Sequence, residues 1–186
     1  MIYLLGGLRP PVAAARGPSA PGLVWAGGVM VGYSVPMGFD QGEGYVVGQL
    51  VLLVLLALAW WFTPSFSPAW LAGMGWAVAW LGLLVLLLAA WQLGRNLTAW
   101  PKPRVGGHLV QEGLYQVVRH PIYFGLLLWA AGGSLAHLNP WTLLLSALLF
   151  GLLDRKAGLE EQFLEEIYPE YRAYKRRVRK LIPWVY

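Results

Sequence analysis

The 186 residues are 58% hydrophobic and only 12% charged, with 11 tryptophans, against about 25% charge in a typical soluble domain. That balance excludes an ordinary water-soluble fold and points to membrane embedding, with aromatic residues at headgroup level. The chain has no cysteine, which excludes disulfides, thiolate catalysis and cysteine-based metal centres, and no metal site is expected. Its net charge of +5 lies in residues flanking apolar runs, so no nucleic-acid partner is expected.

Residues 1–44 read as an N-terminal region. Met1–Pro21 lacks the basic start of a signal peptide. Gly22–Phe39 is apolar but Gly-rich and interrupted by Pro36, which leaves a first membrane span open as one of two readings. Residues 45–186 read as one membrane domain. Tyr45–Phe62 meets the roughly 20 apolar residues needed to cross a bilayer and ends in Trp60, Trp61 and Phe62. Trp70–Trp91 is a second span, reached through the uncharged, Pro-containing link Thr63–Ala69. Ile122–Leu138 and Trp141–Leu153 are shorter spans separated by Asn139-Pro140, the pattern of a tight helical hairpin. The fold class expected is an all-α integral membrane protein of four to five transmembrane helices, including this C-terminal hairpin, followed by a cytoplasmic amphipathic helix. Gly132-Gly133 is expected to permit close helix packing.

The loops give orientation. Arg95, Lys102, Arg104 and Arg119 share a side with Arg172, Lys175, Arg176, Arg177, Arg179 and Lys180, whereas the links at 63–69 and 137–140 carry no Lys or Arg. The charged side is therefore expected to be cytoplasmic; Arg9 and Arg16 depart from this if Gly22–Phe39 spans. The compact size suggests a bacterial inner membrane. The basic tail reads as an anionic-lipid anchor, worth about 1 kcal/mol per charge.

Two segments are too polar for lipid. The loop Leu93–His120 is longer than most structural connections. Asp154–Lys180 repeats Leu159, Phe163, Leu164 and Ile167 at helical spacing, with Glu160, Glu161, Glu165 and Glu166 between them, and breaks at Pro169. Glu160 and Glu161 follow the last span closely and can face His120, which opens the hairpin from the same side. Ionisable groups at a membrane boundary are costly and usually mark a site. By itself, His120 before Pro121 is equally a helix start.

The run from Leu109 to Gly125, LV-x-x-G-x-Y-x-x-x-RHP-x-Y-x-G, followed by EE-x-x-L at Glu160–Leu164 and a Y-x-x-Y-basic-Pro tail, resembles the isoprenylcysteine carboxyl methyltransferase family. Related membrane methyltransferases of phospholipids and small thiols share the pattern. The resemblance runs from Trp70 to Pro183. It implies S-adenosylmethionine as cofactor, in a pocket formed by 94–125 and 154–183. Mapped onto this chain, the cofactor residues are Gly107, His108, Leu109, Val110, Tyr115, His120, Pro121, Ile122, Tyr123 and Glu160, with Glu161 beside them. It also implies an Arg one turn before the acidic pair that holds the acceptor; this chain departs from the pattern, with Lys156 at that spacing and Arg155 one position earlier, and either can serve.

The residues suit such chemistry. Methyl transfer from a sulfonium needs alignment and exclusion of water more than a nucleophile, and orientation alone is worth about 7–11 kcal/mol. Glu160 offers an acceptor to a ribose or ammonium, His120 a donor to a carboxylate, and the Gly106–Val110 backbone a cradle. The Tyr115 and Tyr123 rings offer faces for a sulfonium or adenine. The methyl acceptor is expected to be a lipophilic or lipidated molecule entering from the bilayer: a prenylcysteine-like carboxylate, a phospholipid amine or a small thiol. Arg119 reads as a headgroup anchor, His108 as solvated, His137 as structural, and Tyr171 and Tyr174 as packing residues. Two other classes stand beside this one: an NADPH oxidoreductase resembling membrane sterol reductases, and a non-enzymatic membrane assembly or transport component.

Overall fold

A computed structural model of the chain describes residues 22–26, 29–33, 42–98, 101 and 107–186. Met1–Pro21, with Arg9 and Arg16, lies outside the described residues, as do Lys102, Arg104 and Gly106 of the long loop. Two compact units divide between Gly38 and Phe39. In the first, β1 (Gly22–Ala26) pairs antiparallel with β2 (Val29–Tyr33), Gly22 opposite Tyr33. The all-α expectation therefore holds for the second unit alone, and Gly22–Ala26 and Val29–Tyr33, within the optional first span, are strands. Val, Trp and Tyr flanking a Gly-Gly dipeptide carry a hairpin signal that outweighs apolarity here.

The second unit is helical: α1 (Glu43–Phe62), α2 (Ala69–Leu93), α3 (Pro121–His137), α4 (Pro140–Ile167) and α5 (Tyr171–Arg177). Short 3-10 turns lie at Gly94–Asn96 and Gly113–Gln116. Glu43–Phe62 and the run Ala69–Asn96 are long and apolar enough to cross a membrane. Their outward faces carry Leu50, Val54, Trp61, Trp80 and Trp91, all more than half exposed to the surroundings.

α2 and α3 pack at near-backbone contact. A Cβ on Gly75 would lie 2.5 Å from the Ala136 amide nitrogen and 2.6 Å from the Gly132 carbonyl, and Gly82 faces Gly125 in the same way. Helices in lipid gain little from burying apolar surface against one another, so close van der Waals contact through small residues takes over. Gly132 does lie in this seam, while Gly133 abuts the Trp60 ring.

α3 and α4 form the expected hairpin. Leu138 takes the left-handed conformation, Asn139 caps α4 by accepting from the Trp141 amide, and Pro140 occupies the first helical position. At this end the Phe66 amide donates to the His137 carbonyl, and the His137 ring nitrogens lie 3.0 Å from the Gly133 and Trp60 carbonyls. His137 is thus structural, tying the two inter-helix links together.

One boundary differs from expectation. The last span and the amphipathic helix are one continuous 28-residue helix, about 42 Å long at 1.5 Å per residue. No proline interrupts it, and Gly158 costs a helix only about 1 kcal/mol. A hydrocarbon core of about 30 Å cannot contain it, so its acidic C-terminal half projects beyond the apolar bundle. The chain then breaks at Tyr168–Glu170 and resumes as α5.

Candidate active site

The cavity forms at the end of the bundle away from the His137 links. It has a volume of about 490 Å³ and is walled by the start of α1, the residues following α2, the loop before α3, and the projecting half of α4.

The approach to α3 is held from several sides. Gly113 has φ +60° and sits so close to Gln92 that a Cβ would be 2.7 Å from its side-chain oxygen. There the Gln92 side chain accepts from the Leu114 amide at 2.9 Å, which fixes the turn and buries Tyr115. From the other side the C-terminal tail runs alongside: Val118 bridges Arg179, the Arg119 amide donates to the Arg179 carbonyl at 2.8 Å, and the His120 amide donates to the Lys180 carbonyl at 3.2 Å. The Tyr174 hydroxyl donates to the Tyr115 carbonyl.

At the N-cap of α3, His120 is 7% exposed and lies between two consecutive carboxylates. Its Nδ1 is 3.4 Å from Glu160 Oε2 and its Nε2 is 3.2 Å from Glu161 Oε1. The ring stacks on Tyr123, centroids 5.5 Å apart at 5°, and the Tyr123 hydroxyl donates to Glu160. Burial disfavours the imidazolium, but the hydrogen bonds and charges of Glu160 and Glu161 outweigh it and raise its pKa above the ordinary 6.5.

Consecutive residues on α4 face different surroundings. Glu160 lines the cavity. Glu161 lies behind His120, 3% exposed, bonded to Arg119 Nε at 2.8 Å and within 3.1 Å of Lys175 Nζ. Burial pushes the Glu161 carboxyl up, yet His120 and Arg119 together hold it at about 2. Arg119 is no headgroup anchor: its side chain is 8% exposed and also donates to the Lys175 and Val178 carbonyls. A guanidinium with several fixed donors suits this clamp between α4 and α5.

The structure brings Gly107, His108, Leu109 and Val110 to one wall, and Tyr115, His120, Pro121, Ile122 and Tyr123 to the next, with Lys156 and Glu160 opposite. His108 is exposed, its amide donating to Asn96 Oδ1 at 3.3 Å. Glu161 and Arg155 are not brought to the cavity, and Arg155 is exposed. Lys156, by contrast, is 3% exposed and donates to Gln49 Oε1 at 2.9 Å. Burial lowers its pKa, with Glu160 opposing. Tyr171 and Tyr174 also line the cavity; the Tyr171 hydroxyl is buried beside Arg119.

Sequence reasoning missed Gln49, Asn96 and Leu164 as lining residues. Gln49 did leave a signal, since it is the one polar side chain inside the apolar run Tyr45–Phe62.

Residues 70–171 match the model of the phospholipid methyltransferase family. The chain is 34% identical over 100 residues to protein-S-isoprenylcysteine O-methyltransferase B of Arabidopsis thaliana, covering 50% of this chain and 49% of that protein. It is 42% identical over 74 residues to methanethiol S-methyltransferase 1 of Bradyrhizobium diazoefficiens, covering 38% and 25%. The chain therefore aligns with about half, or less, of the length of these curated relatives. The solved structure of the eukaryotic intramembrane Ras methyltransferase, isoprenylcysteine carboxyl methyltransferase, superposes with a TM-score of 0.59 at 22% identity, covering 79% of this chain and 55% of that one. The fold is shared.

Proposed function

The chain belongs to the phospholipid methyltransferase family, and on that premise we propose that it is an integral membrane methyltransferase using S-adenosylmethionine to methylate a lipophilic acceptor. The observation carrying this reading is the convergence of His120 with Glu160 on the wall of one cavity, 3.4 Å apart.

The cavity suits the cofactor. Its volume of about 490 Å³ falls within the roughly 300–1,000 Å³ of small-ligand sites. The Glu160 carboxylate, held by His120 and by the Tyr123 hydroxyl, accepts from ribose hydroxyls or the cofactor's ammonium. Leu109 and Val110 supply backbone groups, and Tyr115 and Tyr123 supply ring faces. S-adenosylmethionine, when bound, supplies a methyl group already activated on a sulfonium. The protein's own residues have to bind, align and keep water out, tasks that call for no nucleophilic side chain. Lys156, unlike Arg155, lines the cavity and is placed to hold the polar head of an acceptor. The relatives' acceptors leave three chemistries in view: a prenylcysteine-like carboxylate, a phospholipid amine and a small thiol.

In the bilayer, α1, α2, α3 and the first half of α4 form four spans, and the projecting half of α4 with α5 lies on the cytoplasmic side of a bacterial inner membrane. Support comes from charge: Arg95 and the basic residues of α5 lie at the cavity end, and the links at 63–68 and 138–139 carry no Lys or Arg.

Titration calorimetry of the purified protein with S-adenosylhomocysteine and, separately, NADPH tests the reading. Binding of the first alone is expected; binding of NADPH alone, or of neither, overturns it. Mass spectrometry of membranes incubated with methyl-labelled cofactor then identifies the product.

A further inference from the structure

We propose that Gln49 of α1 is a specificity residue that, with Lys156, binds an anionic head on the acceptor. The inference rests on the methyltransferase reading above and adds a residue from outside the family-matched segment 70–171.

The chemistry follows from donor and acceptor counts. An ammonium has three donors and no acceptor. The Lys156 ammonium donates once, to Gln49 Oε1 at 2.9 Å, and lies 5.1 Å from the centroid of the Tyr123 ring. Among the described residues no carboxylate lies within ion-pair distance of it. Glu160 acts on it only through space. A cation 3% exposed, facing a cavity with one neutral partner, is incompletely compensated, and burying a charge is costly unless it is paired.

Gln49 has a forced orientation. Because Lys156 can only donate, the carboxamide oxygen must face it, which turns the Gln49 NH₂ away from the ammonium. That NH₂ donates to no described residue, and Gln49 lines the cavity beside Lys156. Two Lys156 donors and two Gln49 donors thus remain for a ligand, against one spare lone pair on Gln49 Oε1. This excess of donors and the ammonium charge favour an anion at Gln49 and Lys156. The next residue, Leu50, lines the same cavity and is 57% exposed, on the outward apolar row with Val47 and Val54. An apolar tail attached to a head on Gln49 therefore leaves past Leu50 toward lipid.

The test uses the full-length protein loaded with S-adenosylhomocysteine and two probes that differ only in head charge: N-acetyl-S-geranylcysteine and its primary carboxamide. The wild type is expected to bind the carboxylate at least about tenfold tighter, the effect of a hydrogen bond to a charged group. Gln49→Leu should abolish that preference. Gln49→Glu, nearly isosteric, should reverse it by pairing with Lys156 and cancelling its charge. Affinity for S-adenosylhomocysteine should fall less than the carboxylate preference in both variants, because the side-chain hydrogen bond of Gln49 goes to Lys156, assigned to the acceptor. Equal binding of the two probes by the wild type, or an unchanged preference in both variants, overturns the proposal. Failure of the wild type to bind S-adenosylhomocysteine instead overturns the underlying methyltransferase reading.

Discussion

His120 Nε2 lies 3.2 Å from Glu161 Oε1, with the two side chains 7% and 4% exposed. Glu161 therefore acts on the cavity through the side chains it holds, His120 and Arg119. His120 has both ring nitrogens engaged and braces Glu160, on its other nitrogen, at the cavity wall.

This arrangement has a pH signature. The His120 pKa is raised above 6.5 and that of Glu161 is lowered from 4.5 to about 2. The His120 contribution to stability is complete below 6.5 and is lost as pH rises through its folded-state value. The Glu161 contribution is complete above 4.5 and is lost as pH falls toward 2. Melting temperature in detergent should thus plateau between about pH 4.5 and 6.5 and decline above it, and affinity for S-adenosylhomocysteine should fall on the alkaline side. In His120→Asn the alkaline decline should vanish; if it persists unchanged, another group is responsible.

The two neighbouring carboxylates should separate in their effects. Glu160→Gln is expected to weaken S-adenosylhomocysteine binding about tenfold or more, the size of a charge-assisted hydrogen bond, with little change in melting temperature. Glu161→Gln leaves the Arg119 guanidinium buried without its counterion and should destabilise the fold by about 3 kcal/mol. Calorimetry and thermal melting on both variants decide this, and identical behaviour would falsify the division of roles.

Arg119→Lys should loosen the C-terminal clamp. A lysine ammonium can keep the ion pair with Glu161 but cannot also span to the Lys175 and Val178 carbonyls. The expected loss is about 1–2 kcal/mol. Trypsin cleavage at Arg172, Lys175, Arg176 and Arg177 should accelerate, and retention of the wild-type digestion rate would count against the clamp.

Gly75 and Gly73 lie two residues apart on α2 and should respond differently to alanine. At Gly75 the added Cβ meets Ala136 and Gly132 backbone within 2.6 Å, whereas at Gly73 nothing lies within 4 Å. Gly75→Ala is expected to cost about 1–3 kcal/mol by overpacking, seen as a lower melting temperature. Gly73→Ala should cost nothing measurable.

What the amino-acid sequence determined by itself was local. Four apolar runs became helices because length and apolarity act segment by segment. Pro121 and Pro140 marked the starts of α3 and α4, Pro169 marked the break before α5, and the order of motifs indicated the family. The hairpin at 22–33 shows the limit of that reasoning, since apolarity there served strands instead of a span. The tertiary structure alone decided which of two adjacent residues faces the cavity, Lys156 over Arg155 and Glu160 over Glu161. Successive helical positions point about 100° apart, so their roles depend on how α4 is rotated against its neighbours. It also decided that Arg119 is buried and that Gln49 meets Lys156 across 107 positions of sequence. Contacts between distant segments follow from packing, and no local pattern encodes them.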